Sequence, residues 1–211
     1  MAGRLIAIEG IDGSGKTSQI RLLAGDGEST GALVVTSEPG STTLGAQLRS
    51  LLLRPDLPPV AERSEALLMA ADRAQHVAEV VAPALAAGRW VVTDRFSGST
   101  LAYQGYGRGL DLEELKRLVS WATAGVTPDL NVLVDVPLDV ARARRRSGED
   151  DRLESLDEAF HERVRRGYLA LAEADPARWV VVDGVGDLLD VAERLRTAVV
   201  SRLGPLPSKA P

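Results

Sequence analysis

Short apolar runs alternate along this chain with longer segments of helical periodicity. Five of the runs have the length and the continuous hydrophobic character of strands buried on both faces of a parallel sheet. They occupy residues 4–9, 32–38, 89–94, 129–136 and 178–184. The intervening helix candidates are residues 16–24, 44–53, 61–87, 99–103, 111–124, 138–146, 156–174 and 188–203. The alternation predicts an α/β fold, in which a five-stranded parallel sheet is flanked by helices on both faces.

The chain has the length of one domain, and no change of composition divides its 211 residues. The proline-rich stretch "RPDLPPV" at residues 54–60 connects two helix candidates and is too short to separate domains. We therefore predict a single domain over residues 1–204 and a frayed tail over residues 205–211.

The junction between the first predicted strand and the first predicted helix reads "GIDGSGKT", residues 10–17. This spacing is typical of a phosphate-binding loop, in which glycines let backbone N–H groups turn toward an anion at a helix N-terminus. In this interpretation Lys16 reaches the β- and γ-phosphates of a nucleotide, and the Thr17 hydroxyl is a ligand of Mg²⁺. The fold is then of the P-loop NTPase type. Its predicted nucleotide-binding residues are Gly10, Ile11, Asp12, Gly13, Ser14, Gly15, Lys16 and Thr17.

The third predicted strand ends in Asp94-Arg95-Phe96, at the sheet edge that carries the phosphate loop. A carboxylate at this position can hold Mg²⁺ through water, so Asp94 is a second candidate metal ligand. The neighbouring Arg95 can bridge two phosphates through its planar fork of donors. The alternative is an ordinary Asp–Arg ion pair at a strand end.

Arginine is concentrated at the start of the segment "ARARRRSGEDDRLE", residues 141–154. A run of like charge is usually a solvated helix face. This one is strongly basic in an acidic protein and continues into a short acidic stretch, so we predict a mobile lid over about residues 142–154. Such a lid would close over ATP, exclude water and neutralise charge on the transferring phosphoryl group. The candidate arginines are Arg142, Arg144, Arg145 and Arg146.

Composition narrows the class of protein further. A net charge of −5 argues against nonspecific binding to nucleic acid or to a membrane surface. The chain has no cysteine, which excludes disulfides and thiolate chemistry. Because the first strand candidate begins at residue 4 and no apolar run reaches membrane-spanning length, we expect a cytoplasmic enzyme. The Asn/Thr-Lys-x-Asp signature of a guanine-binding GTPase does not occur in the sequence.

Several longer stretches together resemble bacterial thymidylate kinases over nearly the whole chain. They are "IEGIDGSGKT", "EPGSTTLGAQLRSLLL", "LLMAADRAQHV", "PALAAGRWVVTDRFSGSTLAYQGYGRG", "TPDLNVLVDV", "DRLE" and "FHERVRRGYLAL". The phosphate loop is shared with many families, whereas the Asp-Arg-aromatic strand end joined to "LAYQGYGRG" is much more specific. The resemblance implies that ATP phosphorylates dTMP to dTDP with Mg²⁺. A kinase for another nucleoside monophosphate and a non-catalytic P-loop nucleotide switch are the alternatives.

The resemblance also implies roles for residues around the phosphate and sugar of dTMP. Arg49 and Arg95 are expected to hold the dTMP phosphate, and Asp12 is expected near Arg95 and the 3′-hydroxyl. Tyr103 is expected to crowd the 2′ position, so that deoxyribose is preferred. Because the phosphate loop contains no arginine, the family pattern implies that a lid arginine takes part in catalysis.

For the base, the resemblance implies that the thymine edge is read by Arg73, Thr100 and Gln104. The spacing of these residues independently agrees with that role. Thr100 and Gln104 are four residues apart, as are Met69 and Arg73, so each pair lies on one face of a helix. Two helices could therefore present paired side chains to one planar base. Met69 stands where the family usually stacks an aromatic ring on thymine, which is a departure from the pattern.

Three further expectations concern residues away from the phosphates. Where the family commonly has an acidic residue two positions after the Asp-Arg-aromatic triplet, this chain has Gly98. His76 and His161 are interpreted as structural, since phosphoryl transfer to a phosphate needs no general base. A homodimer is implied by the family alone, and Trp121 belongs either to its interface or to the core.

Overall fold

Five parallel strands form the centre of the described part of the chain. The structure is a computed structural model and describes residues 3–27, 29–54, 56, 58–144 and 151–207. The strands are β1 (Leu5–Glu9), β2 (Leu33–Ser37), β3 (Trp90–Asp94), β4 (Leu130–Asp135) and β5 (Trp179–Asp183). Their order across the sheet is β2-β3-β1-β4-β5, and all pairings are parallel. The predicted five-stranded parallel sheet is confirmed.

Helices connect the strands and cover both faces of the sheet. They are α1 (Lys16–Ala24), α2 (Thr43–Leu53), α3 (Glu62–His76), α4 (Ala82–Ala86), α5 (Ser97–Thr100), α6 (Leu112–Ala122), α7 (Leu138–Arg144), α8 (Glu158–Ala174) and α9 (Leu188–Leu203). The last long helix candidate before β5 begins two residues later than predicted. The reason is that the Asp157 side chain accepts a hydrogen bond from Phe160 N and thereby caps α8.

Two of the predicted helices contain π-helical turns. The candidate over residues 61–87 is α3 and α4 joined by the π-helical segment Val77–Val81, and α5 continues into the π-helical segment Leu101–Gly107. Such turns add a residue to the helical repeat and are frequent at functional sites. The predicted helix over residues 99–103 was therefore too short, because apolar periodicity carries no signal for a π-helical turn.

Alternate residues of β1 face opposite sides of the sheet. Ile6 and Ile8 pack with α1 and α9 in one buried cluster, whereas Leu5 and Ala7 pack with residues around α4 in another. Burying one such aliphatic side chain contributes roughly 1.5–3 kcal/mol, so both faces stabilise the sheet. Leu206, within the segment predicted as a tail, is partly buried against the first cluster, and residues 208–211 lie outside the described residues.

The carboxyl ends of β1, β2 and β3 meet at one edge of the sheet. The phosphate loop follows β1, the segment 38–42 follows β2, and Arg95 follows β3. Ligands of open parallel sheets bind at this edge, next to the point where the strand order reverses. At Gly10, which has φ 146°, an added Cβ would lie 2.7 Å from Val134 O and 2.9 Å from Ser14 Oγ. The loop can therefore begin only with glycine here.

Candidate active site

The phosphate loop curls around the ammonium group of Lys16. Lys16 Nζ donates to Gly10 O at 3.0 Å and to Ile11 O at 2.9 Å, and the side chain is buried. Burial and the positive charge of Arg95 lower the pKa of Lys16. The Ser14 hydroxyl is also buried, and it has no hydrogen-bond partner in the described part of the chain. Buried polar groups are almost always paired, so an unpaired one inside this loop fits a loop built to receive an anion.

The two candidate metal ligands lie against each other at the end of the loop. Thr17 Oγ1 donates to Asp94 Oδ2 at 2.7 Å, which brings the first turn of α1 to the end of β3. Mg²⁺ usually takes only one or two protein oxygens and completes its shell with water and substrate phosphates. A hydroxyl next to one carboxylate fits that requirement. No cluster of three or more His, Cys, Asp or Glu side chains able to hold a metal occurs among the described residues.

Arg95 stands at the centre of the site and has a left-handed backbone, with φ 71°. Its guanidinium forms an ion pair with Asp12 and donates to Gly10 O at 3.0 Å and to Tyr103 OH at 3.2 Å. A left-handed backbone is uncommon for a residue other than glycine and is characteristic of functional sites. Desolvation raises the pKa of Asp12, but the charges of Arg95 and Lys16 outweigh it and hold that pKa well below its ordinary value.

Glu9, the last residue of β1, fixes the backbone that follows Arg95. Its fully buried carboxylate accepts hydrogen bonds from Phe96 N at 3.0 Å, Ser99 Oγ at 2.7 Å and Tyr168 OH at 3.1 Å. Burial raises the pKa of Glu9 despite these donors. Sequence reasoning missed Glu9, although a lone acidic residue at the end of an apolar strand was a usable signal. Tyr168 gave no signal, because it is one more apolar position of α8.

A second buried network surrounds Arg73. The guanidinium donates to Glu38 Oε2 at 2.7 Å, Thr100 Oγ1 at 2.7 Å and Phe96 O at 2.9 Å. The other oxygen of Glu38 contacts His76 Nδ1 at 2.8 Å, and His76 Nε2 lies 2.7 Å from Thr36 Oγ1. His76 is therefore fully engaged in supporting this network, which agrees with its interpretation as a structural residue.

Gln104 and two arginines meet at the carboxylate of Glu65. Gln104 Nε2 donates to Glu65 Oε1 at 2.9 Å, Arg108 Nη2 to Glu65 Oε2 at 2.8 Å, and Arg152 Nη2 to Glu65 Oε2 at 2.9 Å. Arg152 Nε also donates to Leu52 O at 2.7 Å. The end of the predicted lid is thus attached to α2 and α3. Sequence reasoning missed Glu65, since a charged residue on a helix usually lies at the surface.

Two cavities meet at Arg95. The first, at the phosphate loop, is lined among others by Gly13, Gly15, Lys16, Thr17, Ser41 and Asp94. The second is lined among others by Met69, Asp72, Arg73, Thr100, Tyr103, Gln104 and Leu153. Both cavities share Asp12, Glu38, Pro39, Arg49 and Arg95. Fold topology therefore brings the predicted phosphate-binding and base-reading residues to adjoining cavities, with Arg95 at the junction.

The remaining predicted site residues have varied positions. Arg49 Nη1 donates to Pro39 O at 2.9 Å beside the junction of the cavities. Arg144 Nη1 donates to Gly184 O at 2.9 Å, and Arg142 forms an exposed ion pair with Glu158. Neither lid arginine is among the lining residues of the two cavities. Arg145 and Arg146 lie outside the described residues.

Packing explains the glycine at position 98. A Cβ on Gly98 would lie 2.7 Å from Trp179 Cη2 and 2.8 Å from Glu9 Oε1. An acidic side chain at this position would clash with the indole ring and bring a second carboxylate against a buried one. The departure from the family pattern thus follows from the Trp179 and Glu9 side chains of this chain.

The phosphate-loop cavity and the second cavity share two arginines, Arg49 and Arg95. This arrangement is typical of P-loop kinases, the class of enzyme that brings a phosphate donor to a small acceptor. The family model for thymidylate kinase matches residues 8–195. A thymidylate kinase of Synechococcus sp. (strain CC9311) is 49% identical over 208 residues, covering 95% of this chain and 97% of that one. A thymidylate kinase of Carboxydothermus hydrogenoformans is 51% identical over 186 residues, covering 87% and 90% of the two chains.

Comparison of structures gives the same result. The crystal structure of thymidylate kinase from Ehrlichia chaffeensis matches with a TM-score of 0.76 and 32% identity, covering 94% of this chain and 99% of that one. The chain belongs to the thymidylate kinase family and is a nucleoside monophosphate kinase. The resemblance found in the sequence is confirmed, as is the P-loop NTPase fold. No helix of the described residues has the length and apolar character needed to cross a membrane.

Proposed function

We propose that this kinase transfers the γ-phosphoryl group of ATP to dTMP, giving ADP and dTDP, and that it does so with Mg²⁺. The observation that carries the proposal is the junction of the two cavities at Asp12, Arg49 and Arg95. One cavity contains the phosphate loop, and the other ends in polar side chains suited to a base. At their shared wall, a donor phosphate in one cavity and an acceptor phosphate in the other would lie next to each other.

The reaction is an in-line displacement at phosphorus. A phosphate oxygen of dTMP forms a bond to the γ-phosphorus of ATP, and the bond from that phosphorus to the β,γ-bridging oxygen breaks, so that ADP leaves with the electron pair. Positioning and electrostatic stabilisation supply most of the catalysis in such transfers. Lys16 would exchange its carbonyl partners for the β- and γ-phosphates, and Arg95 would align the acceptor phosphate and offset charge in the transition state.

The Thr17 hydroxyl and the Asp94 carboxylate are the residues that would hold Mg²⁺, since the donor set fits this cation. When bound, the ion would screen the negative charge of the ATP phosphates. One of Arg142, Arg144, Arg145 and Arg146 would add positive charge once the predicted lid over residues 142–154 closes. For Arg144 this requires exchange of its bond to Gly184 O.

In the second cavity, we propose that Arg49 and Arg95 bind the dTMP phosphate and that Tyr103 packs against the sugar. The Tyr103 hydroxyl donates to Asp12 Oδ2 at 2.7 Å, which fixes the ring beside the junction of the cavities. A ring held there would leave little room for a 2′-hydroxyl. Arg73, Thr100 and Gln104 would then read the edge of the base.

Measurement of ADP release across nucleoside monophosphates tests this substrate assignment. Purified protein, ATP and Mg²⁺ are combined with dTMP, dUMP, dCMP, UMP, AMP or GMP in a coupled assay. We expect the largest kcat/KM with dTMP. A larger kcat/KM with another monophosphate would move the assignment to that substrate. An absence of turnover with all of them, together with ATP binding, would indicate a nucleotide switch.

Met69→Phe is expected to tighten dTMP binding by a few-fold to roughly tenfold, because aromatic stacking contributes about 0.5–1.5 kcal/mol beyond area burial. Met69 lines the base cavity one helical turn before Arg73. A thioether can pack on a π-face, but its flexible chain loses more rotamer freedom than a ring does. Titration calorimetry with dTMP and separately with ATP measures the effect, and ATP affinity should stay unchanged.

Met69→Leu is the matched control for the stacking prediction, since it retains apolar volume without a ring. We expect it to bind dTMP no more tightly than the unchanged protein. Weaker dTMP binding by Met69→Phe, accompanied by tighter binding of other monophosphates, would contradict a cavity built for thymine.

We also propose that the protein is a homodimer, assembled through α2, α3 and α6. Helix α3 packs against both of the others, and each of the three exposes large apolar side chains. Trp121 is 82% exposed, Leu67 58% and Leu51 51%. Trp121 is therefore not a core residue, and a second copy of the chain would bury this apolar surface.

Trp121→Arg is expected to convert the dimer to a monomer, because it places a charge where the indole would be buried against the partner. Light scattering coupled to size-exclusion chromatography measures the mass. Leu189→Arg is the control, since Leu189 is 70% exposed on α9, away from these helices. A monomeric unchanged protein, or a Trp121 variant that stays dimeric, would contradict this interface.

A further inference from the structure

Glu65 is a buried carboxylate that contacts Gln104, a lining residue of the second cavity, and phosphoryl transfer does not explain its presence there. It is fully buried in α3, yet it belongs to neither the phosphate loop nor the Arg95 network. Its Oε1 accepts from Gln104 Nε2 and Arg108 Nε, and its Oε2 accepts from Arg108 Nη2 and Arg152 Nη2. Both oxygens are thus engaged, and each faces only donors.

This arrangement determines which way the Gln104 carboxamide points. An ionised carboxylate can only accept hydrogen bonds, so the amide nitrogen of Gln104, and not its oxygen, must face Glu65. Burial alone would raise the pKa of Glu65, but hydrogen bonds from Arg108 and Gln104 and the charges of both arginines outweigh it and lower the pKa. Glu65 is therefore ionised at neutral pH, and Gln104 Oε1 is held on the side opposite the carboxylate.

Gln104 Oε1 is an acceptor available to a ligand. Gln104 lines the base cavity, and within the described residues no donor forms a hydrogen bond with this oxygen. Four carboxylates also line this cavity, and each already accepts a hydrogen bond within the protein. Glu38 is bound by Arg73 and His76, and Asp12 is bound by Arg95 and Tyr103. Asp72 accepts from Gly40 N, and Asp151 accepts from Leu153 N.

The groups beside Gln104 are donors. The Thr100 hydroxyl lies one helical turn earlier and accepts from Arg73 Nη1, so its own proton is free to be donated. Arg73 uses three of its five N–H groups in the contacts described above, and the other two can face a ligand. The edge of a thymine ring has two carbonyl oxygens on either side of a single N–H, at N3. An acceptor set among donors matches that edge.

We propose that Glu65 is a positioning residue that fixes the oxygen of Gln104 toward the base, so that the cavity selects pyrimidines carrying a proton at N3. This inference rests on the proposed function, because it takes dTMP as the acceptor. The ring of cytosine has an unprotonated N3. This nitrogen is an acceptor, so it would repel the Gln104 oxygen and form no hydrogen bond with it. Selectivity for thymine over cytosine thus depends on a residue that does not touch the base.

Glu65→Gln tests the orientation of the Gln104 carboxamide, because it keeps Gln104 in place and changes only the group that Gln104 faces. The amide oxygen of the substituted side chain would take the position of Oε2, where Arg108 Nη2 and Arg152 Nη2 both donate. Its NH₂ group would take the position of Oε1, face Gln104 and lose the bond from Arg108 Nε. Gln104 would have to rotate and present its own NH₂ group to the base. That rotation removes the acceptor for N3–H and supplies a donor for an unprotonated N3.

The experiment compares kcat/KM for dTMP with kcat/KM for 5-methyl-dCMP, which has the same methyl group and nearly the same shape. Since leaving a buried polar group unpaired is costly, Glu65→Gln should raise the ratio of kcat/KM for 5-methyl-dCMP to kcat/KM for dTMP by roughly five- to 150-fold. Arg108→Lys disturbs the same cluster but keeps a positive charge beside Glu65, so its ratio should stay that of the unchanged protein. Where Glu65→Gln fails to fold, Glu65→Asp loosens the same hydrogen bond and should give a smaller shift in the same direction.

A double variant completes the test. In Gln104→Leu there is no carboxamide to orient, so adding Glu65→Gln should leave the substrate ratio where Gln104→Leu put it. An unchanged ratio in both Glu65 variants, or an equal shift in the Gln104→Leu background, would overturn the inference. These outcomes differ from failure of the proposed function, in which the unchanged protein itself would not phosphorylate dTMP.

Discussion

Lys16→Ala is expected to lower kcat by on the order of 10²–10³ or more while the fold remains intact. The ammonium group is desolvated in the loop, where its electrostatic effect on a transferring phosphoryl group is much stronger than in water. Its hydrogen-bond partners are the carbonyls of Gly10 and Ile11, so its removal deletes no contact of the apolar core. Steady-state turnover with saturating ATP and dTMP measures the effect, and thermal unfolding checks the fold.

Lys116→Ala is the matched control for this variant. Lys116 lines neither cavity, and it forms an exposed ion pair with Glu113 on α6. Exposed ion pairs of this kind contribute little, so turnover should not change. Near-normal turnover by Lys16→Ala would contradict the assignment of residues 10–17 as the phosphate-binding loop.

Arg95→Ala is expected to raise the KM for dTMP and to lower kcat, with a combined loss in kcat/KM of on the order of 10² or more. One guanidinium aligns the acceptor and offsets charge in the transition state, so both parameters should change. The variant also leaves the part-buried Asp12 carboxylate without its ion-pair partner. Kinetics are measured per folded molecule, with unfolding followed separately.

Two further variants make the Arg95 result specific. Arg95→Lys keeps the charge but loses the planar fork, so it should recover only part of the activity. Arg165→Ala removes an arginine that also binds a carboxylate through two nitrogens, Nε and Nη2 to Asp135 at 2.8 Å each, outside both cavities. It should leave the kinetics unchanged. A loss of stability alone in Arg95→Ala would show that Arg95 is a structural arginine.

Local patterns were enough to predict the fold. Residues 4–9 and 89–94 are continuous apolar runs, and a strand covered on both faces needs that pattern whatever its neighbours are. The phosphate loop was equally local, because its glycines, lysine and threonine are neighbours in the sequence. The helix from Leu101 was underestimated, since the π-helical turn there depends on packing against α8 and not on its own periodicity.

The candidate site was predictable only where a motif or the family resemblance named its residues. Asp12, Arg95 and Tyr103 were expected together, and the structure brings them into one network, while their catalytic roles stay predictions. Glu9 and Glu65 were missed. The residues next to them in the sequence do not show whether a carboxylate is exposed or is buried among hydrogen-bond donors from other elements.

The sequence by itself determined the elements, the sheet and the phosphate loop, because each depends on contacts or spacing within a few residues. The tertiary structure decided which side chains meet. Arg73 and Glu38 are 35 positions apart, and Arg95 and Asp12 are 83 apart, yet each pair is in contact. The same holds for Glu65, whose partners include Gln104 of the π-helical segment and Arg152 of the predicted lid. A buried charge must be paired across the fold, and only the packing of elements supplies the partner.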